Sequence, residues 1–406
     1  MRKKTFRRGV HPPEKKELTE EKKIEKIPLP PQVVVPLSQH TGAPCKSLVQ
    51  KKDKVKEGQK IGDVDAFISC PVHSPLSGKV VSIEKFPHPT LGEADAIIIE
   101  KEEENPQSWD EKDVDLFSLS PEDIRKIVRE AGIAGMGGAA FPTHVKISPP
   151  PGKKIDTIIL NGCECEPYLT SDYRIMLERP DDCIFGLKAI MRACGAQKGY
   201  IGIEDNKKEA IKLLQQNVKD EKDIEVVTLK TKYPQGGEKM LIKAILGREV
   251  PSGGLPLDVG VVVSNVGTAC AISEAIKKGK PLIERVITVT GNGIERPSNL
   301  LVPIGTPLKY ILEYCGLKEN ASAIIMGGPM MGIAQWSLDV PVIKGTSGIL
   351  VFTEDEIRRE EEQPCIRCAR CVDHCPVGLM PTTLAKLIKA EKWESLSEYN
   401  IMDCIE

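Results

Sequence analysis

Aromatic residues are scarce in this 406-residue chain, at 4%, and neither sign of charge prevails, with 56 Lys and Arg against 58 Asp and Glu. A chain so poor in stacking rings and without a basic excess lacks what a nucleic-acid binder needs, which excludes nucleic acid as the main partner. Long apolar runs are also missing. A bilayer needs about 20 consecutive apolar residues, whereas the longest runs here, such as Val259–Val263, are strand-sized. The basic start Met1-Arg2-Lys3-Lys4 is not followed by the apolar core of a signal peptide. The chain therefore reads as cytoplasmic, with no transmembrane segment of its own, and peripheral to a membrane only through partner proteins.

Cysteine is abundant, at 13 residues. Four thiols fall in one short run, Cys365-x2-Cys368-x2-Cys371-x3-Cys375-Pro376. That crowding suits a metal cluster rather than a disulfide framework. The spacing wraps three sulfurs around a [4Fe-4S] cubane, and the proline turns the chain away. A zinc site favours two separated C-x-x-C pairs instead. In two-cluster folds the fourth cysteine of each run serves the other cluster. Cys365, Cys368 and Cys371 are thus expected on one cluster and Cys375 on a second. Cys404 is expected to open the second run, so that the sequence continues into a further motif beyond Glu406.

Texture divides the rest. Residues 1–30, rich in Lys, Glu and Pro, read as an extended, partly disordered arm. Residues 31–103 form a β-rich module of short runs such as Val33-Val34-Val35 and Ala96-Ile97-Ile98-Ile99. The phrases Val55–Ile61 and Ser74–Val81 resemble the barrel-sandwich fold of biotinyl and lipoyl carriers. Asp65-Ala66-Phe67 stands where those carriers present a lysine, so a structural module is expected. After a polar linker over 104–118, Ser120-Pro121-Glu122-Asp123 is a helix start. From 119 to 280 strands alternate with helices, the signature of an α/β domain with a largely parallel sheet. Residues 281–350 revert to a small α+β module, and 351–406 carry the cysteine run.

Four polar loops in the α/β domain sit at strand ends or helix starts, where open sheets bind ligands. Gly135-Met136-Gly137-Gly138-Ala139-Ala140-Phe141-Pro142 lets backbone amides approach a phosphate or flat ring. Because a helix and not a strand precedes it, it is not an ordinary dinucleotide fingerprint. Asn161-Gly162-Cys163-Glu164-Cys165-Glu166-Pro167 follows a strand, with Cys163 and Cys165 expected to pack or line a cofactor. Tyr233-Pro234-Gln235-Gly236-Gly237-Glu238 opens a helix, and Val263-Ser264-Asn265-Val266-Gly267-Thr268 follows another strand. Together they point to a composite nucleotide pocket.

In this order the loops resemble those of the flavin- and NADH-binding subunit of respiratory complex I. The wider sequence of modules resembles the C subunits of Rnf complexes, which are membrane-bound, ion-translocating ferredoxin:NAD oxidoreductases. The Gly9-Val10-His11-Pro12-Pro13-Glu14 arm, the phrase Gln39-His40-Thr41-Gly42-Ala43-Pro44 and the cysteine run carry that resemblance. It implies FMN, NAD(H) and two [4Fe-4S] clusters as cofactors, a β-grasp (SLBB-like) module over 281–350, and a helical ferredoxin-like segment at the end. It implies partnership with the other Rnf subunits, indirect exchange with ferredoxin, and a place on the cytoplasmic face of the membrane. By position it assigns Gly135, Gly137, Gly138, Lys146, Asn161, Glu164, Tyr233, Gly236, Asn265 and Thr268 to FMN, and Phe141, Glu166 and Glu238 to the nicotinamide nucleotide. No catalytic side chain is implied. Two residues depart from the complex I pattern, with Cys163 in place of an acid and Gly237 in place of one of two adjacent glutamates. The alternatives are a flavin/iron–sulfur corrin reductase, which the arm disfavours, and a cluster-wiring adaptor without flavin, which the intact Gly and Asn positions disfavour.

Overall fold

The computed structural model describes residues 3–104, 106–110, 114–357 and 361–405. The first two residues of the arm, four of the linker, three of the cysteine-bearing segment and Glu406 therefore lie outside the described residues.

The arm contributes strand β1 (Ile24–Lys26). The β-rich module follows with β2 (Gln32–Pro36), β3 (Lys46–Ser47), β4 (Lys54–Val55), β5 (Lys60–Asp63), β6 (Val72–His73), β7 (Gly78–His88) and β8 (Gly92–Lys101). They form two sheets, β2-β8-β7-β4 and β3-β5-β6, with all pairs antiparallel. Alternation does the sorting. Val33, Val35, Ile97 and Ile99 turn inward onto Ile61, Val72 and Leu76, whereas Val34, Ala96 and Ile98 pack on the opposite face. Phe67, in the loop where a carrier lysine would stand, is exposed.

The α/β domain opens on helix α1 (Pro121–Glu130) and short α2 (Thr143–Lys146). The Ser120 hydroxyl accepts from the Asp123 amide while the Asp123 carboxylate accepts from the Ser120 amide, a closed capping box. Then come β9 (Thr157–Gly162), α3 (Ser171–Glu178), α4 (Pro180–Cys194), β10 (Lys198–Glu204), α5 (Lys208–Asn217), β11 (Ile224–Leu229), α6 (Glu238–Leu246), β12 (Val261–Asn265) and α7 (Val266–Lys278). The sheet order is β11-β10-β9-β12, parallel throughout. Both faces are covered, as a parallel sheet requires. Ile158 and Leu160 face the α1/α4/α7 core, and Ile159 faces Leu241 and Ile245 of α6.

The next module comprises β13 (Glu284–Thr290), β14 (Ser298–Pro303), α8 (Leu308–Cys315), β15 (Ala321–Met326), β16 (Ile333–Ala334) and β17 (Gly348–Thr353). Its sheet, β1-β14-β13-β17-β15-β16, is completed at one edge by β1 of the arm, parallel to β14 with Ile24 opposite Asn299. The chain closes on α9 (Arg370–His374) and α10 (Pro381–Lys389), whose small core joins Leu379, Leu384 and Leu396. No helix among the described residues is long and apolar enough to cross a membrane.

The arm departs from the expected disorder. Phe6 is buried, and Lys4 and Val10 bridge in β fashion to Leu229 and Tyr233. Lys16 is also buried, its Nζ donating to the carbonyls of Glu164, Glu166 and Leu169. Three carbonyls satisfy the three ammonium protons, and this is what makes so polar a segment foldable.

Candidate functional site

All four polar loops meet at the carboxyl ends of β9 and β12. The two strands are neighbours, and Asn161 and Asn265 lie opposite one another at their ends. Each asparagine works in two directions. Asn161 Oδ1 accepts from the Cys163 amide at 3.0 Å while its Nδ2 donates to the Gly236 carbonyl at 2.8 Å, tying the strand end to the loop before α6. Asn265 caps α7 through Oδ1, which accepts from the Gly267 amide, and its Nδ2 donates to Asp172 Oδ2 at 2.6 Å. The capping geometry is what places β12's last residue on the ligand side of the sheet.

The glycine loop folds over this junction. Gly135 donates to the Phe141 carbonyl, and the Met136 amide donates to Thr268 Oγ1 at 2.9 Å. A Cβ on Gly137 would lie 3.2 Å from Asn265 Nδ2, so the loop and the α7 cap are in contact. Gly138 differs. Its φ of +98° suits glycine, and nothing lies within 4 Å of where a Cβ would stand, so the loop's outer face is open. Gly236 is packed to the limit, with a Cβ there falling 2.3 Å from the Cys163 carbonyl oxygen. Glycine is therefore required where the Asn161 loop and the α6 loop cross.

Helix α6 starts at Glu238 with no side-chain cap on Gly237. Its first-turn amides are thus an anion site in waiting. Lys146 stands beside it, 2.6 Å from Glu238 Oε1, with both side chains about a third exposed. Phe141 is half-buried at the loop's end.

Other expected site residues hold the pocket from behind. The Glu164 carboxylate is turned to the start of α3, where it accepts from the Ser171 hydroxyl and the Asp172 amide. Glu166 accepts from the amides of Met330 and Met331 at 3.0 and 2.8 Å, fastening the loop to the β15–β16 turn, and burial lifts its carboxyl above the ordinary value against the pull of those amides. Tyr233 is buried, exchanging backbone hydrogen bonds with Val10. Thr268 is buried against Met136. Burial pushes the Cys163 thiol well above its ordinary value and the Cys165 thiol up to about 12, so both are neutral thiols packed behind the pocket.

Three participants are not among the expected site residues. Asp172 sits at the first turn of α3 against Asn265, where burial, then the Glu164 charge, raises its pKa to about 7. Lys207, fully buried with Glu204 at 3.1 Å, is raised by that carboxylate and Glu164 although burial opposes it. Arg285 reaches from β13 to the Met136 carbonyl. Only Asp172 offers a hint, as an acid in a helix's first turn.

The cysteine run is not gathered. Cys365, Cys368, Cys371 and Cys404 are exposed, Cys375 is half-buried, and no three His, Cys, Asp or Glu side chains among the described residues are poised around a metal position. All-sulfur donors without competing disulfides suit iron–sulfur chemistry, while their gathering depends on the bound iron, since thiolates converge on a cluster and repel one another without it. Cys375 is the best anchored, its Sγ accepting from the Leu379 amide.

Comparison with known proteins agrees with this architecture. Residues 4–104 match the RnfC barrel sandwich hybrid domain, 128–274 the Nuo51 FMN-binding domain and 286–334 the SLBB domain. The C subunit of a proton-translocating ferredoxin:NAD(+) oxidoreductase complex of Clostridium ljungdahlii is 50% identical over 98% of this chain and 88% of its own. Its Na(+)-translocating counterpart in Acetobacterium woodii is 44% identical over 98% and 90%. Among solved structures, an NAD+-reducing [NiFe]-hydrogenase in the air-oxidized state aligns with TM-score 0.54 at 20% identity, over 70% of this chain and 56% of that one, a likeness of fold. The chain thus spans little more than half of that protein. On these grounds the chain belongs to the RnfC family, the C subunits of ion-translocating ferredoxin:NAD(+) oxidoreductase complexes.

Proposed function

We propose that this chain is the peripheral electron-transfer subunit of such a complex, exchanging hydride between NAD(H) and FMN and passing single electrons to or from [4Fe-4S] clusters linked to ferredoxin. The observation that carries it is the convergence of four loops at the ends of β9 and β12, with Gly138 open and the start of α6 uncapped. These features fit FMN, a flat ring bearing a phosphate. The outer face of Gly135–Gly138 receives the ring, and Lys146 with the first turn of α6 holds the phosphate. Asn161 and Asn265 fix the two strand ends that frame it. Phe141 supplies a ring at the mouth against which nicotinamide can stack, and Glu238 orients ribose hydroxyls. Glu164, Glu166, Tyr233 and Thr268 hold these loops in place.

Bound FMN supplies the conversion of a two-electron hydride into single electrons. The chain's own part is to bind and orient both flat rings and to keep water from the contact between them. Cys365, Cys368 and Cys371 serve one cluster, and Cys375 and Cys404 belong to the second, in a helical ferredoxin-like unit. Ion movement then falls to partner proteins of the complex, with this chain on the cytoplasmic face. To test the reading, the protein is reconstituted anaerobically with iron, sulfide and FMN, and NADH-driven bleaching of flavin absorbance is followed. Failure to retain FMN would sink it.

A further inference from the structure

We propose that Arg8-Gly9-Val10 of the arm is a strap that seats the cluster ligand Cys375 on the flavin loop and so sets the electron contact between the two. This rests on the functional reading above and adds to it a positioning element outside both cofactor sites.

Three consecutive arm residues grip two elements at once. On one side Val10 and Tyr233 exchange backbone hydrogen bonds, 2.8 Å in each direction, within the loop that leads to Gly236. On the other, the Gly9 amide donates to the His374 carbonyl at 3.0 Å, and Arg8 Nη1 donates to the Cys375 carbonyl at 3.2 Å. Among the described residues, one further hydrogen bond joins residues 361–405 to the rest of the chain, an exposed contact of Ser252 with Asp403. The strap thus holds the cluster unit at the cysteine that is itself best anchored.

The strap is shaped for this. Gly9 has φ +89°, and a Cβ there would lie 2.8 Å from the Tyr233 carbonyl oxygen and 3.2 Å from the Phe6 ring. Glycine alone turns its amide to His374 while the next residue pairs with Tyr233. The turn is pinned by Lys232, whose Nζ donates to the carbonyls of Phe6 and Arg8 at 2.6 and 2.7 Å and sits 3.7 Å from the Phe6 ring centroid. From Tyr233 to Cys375 the route runs through one hydrogen bond, three arm residues (Val10, Gly9 and Arg8) and a second hydrogen bond. Electrons enter as the hydride of NADH and leave singly, each reducing one ferric iron to ferrous, with one proton released to water. The strap shapes the second of these events.

The experiment compares wild type, Gly9→Val, Arg8→Ala and Arg8→Lys in the full-length protein, reconstituted anaerobically and assayed first for iron, sulfide and FMN. In stopped flow with NADH, iron–sulfur bleaching in Gly9→Val should slow by about tenfold or more relative to flavin bleaching in the same protein, the scale that ångström misplacement reaches. Amide exchange at His374–Cys375 should quicken. Arg8→Ala should move the potential of one cluster to more negative values, because a cation beside a cluster stabilises its reduced state, and Arg8→Lys should restore most of that shift. A merely structural arm would leave the potential where it was. Normal cofactor content with unchanged cluster bleaching and potential in both Gly9→Val and Arg8→Ala overturns the strap. A wild type that binds no FMN or iron overturns the functional reading beneath it. Should Gly9→Val fail to fold, the Arg8 pair alone decides.

Discussion

Placing one methyl group on Gly236 tests whether the pocket is built by the crossing of two loops. The new Cβ would stand 2.3 Å from the Cys163 carbonyl oxygen and 3.2 Å from Cys165 Sγ. The first is backbone, hydrogen-bonded into its own turn through the Cys165 amide, so it has no flexible end to swing aside. Relief must come from moving the α6 loop outward, which stretches the Asn161 bond to the Gly236 carbonyl and the Gly236 bond to Cys165 Sγ. Overpacking of this kind costs about 1–3 kcal/mol. If the displaced loop is also the one that holds the FMN phosphate, that cost appears in binding, and at about 1.4 kcal/mol per decade the affinity falls roughly tenfold to a hundredfold. Fluorescence titration of the apoprotein with FMN reads this directly, with urea unfolding run alongside. Gly138→Ala is the comparison. Its Cβ meets nothing, so the free protein bears only the strain of a left-handed backbone, roughly 1–2 kcal/mol. Unchanged FMN affinity and stability in Gly236→Ala would refute the crossing.

Three further outcomes are expected. Lys207→Met leaves Glu204 fully buried without its cation and should cost about 3–5 kcal/mol in urea unfolding, whereas replacing both by apolar residues should recover most of it. Asp172 is raised from the ordinary 3.8 to about 7, so the folded chain holds a proton that the unfolded chain has released. Stability should therefore decline, by no more than a few kcal/mol, as pH rises from about 4 to about 7. Asp172→Asn, which can still accept from Asn265, should flatten that slope in urea midpoints taken across the window, and an unaltered slope would count against it. Finally, an aromatic disulfide reagent should find four fast thiols in the iron-free protein, the exposed Cys365, Cys368, Cys371 and Cys404, with the buried cysteines reacting on unfolding. Loading with iron and sulfide should protect Cys365, Cys368 and Cys371 first.

How much of the fold and site is legible in the sequence depends on whether a residue's signal is local. Strand β11 and helix α6 have the limits their apolar periods indicate, Ile224–Leu229 and Glu238–Leu246, because pattern and packing coincide there. Helix α7 begins three residues before its apolar run, at Val266, since Asn265 caps it and the start is set by that hydrogen bond. Helix α3 has no such signal, because Thr170 and Ser171 resemble loop residues and Pro180 follows at once, while its N-terminus is held by Glu164, earlier in the chain. The order of the arm is hidden for the same reason at greater range. Lys16 looks like any lysine in a charged run until residues 164–169 bring three carbonyls to it. Glycines and asparagines at strand ends can be read because their residue type is itself the message.

The two departures from the complex I pattern also acquire a physical meaning. Gly237 is the residue before α6, and without a side chain it leaves the helix's first amides uncapped. A glutamate there would bring negative charge to the start of α6 and, if the FMN phosphate is held there, would compete with it. Cys163 lies buried at the crossing with Gly236, and burial, then the nearby Glu204 charge, keeps its thiol neutral. An acid in its place would add a fourth carboxylate to a region where Glu164, Glu166 and Glu204 already share two buried lysines, Lys16 and Lys207. Both substitutions therefore make the pocket less negative. Relative to a pocket carrying both acids, this one should hold phosphate-bearing ligands with less dependence on salt and on the protonation of its neighbours. Restoring Glu at 237 should weaken FMN binding most at low ionic strength, where its charge is least screened.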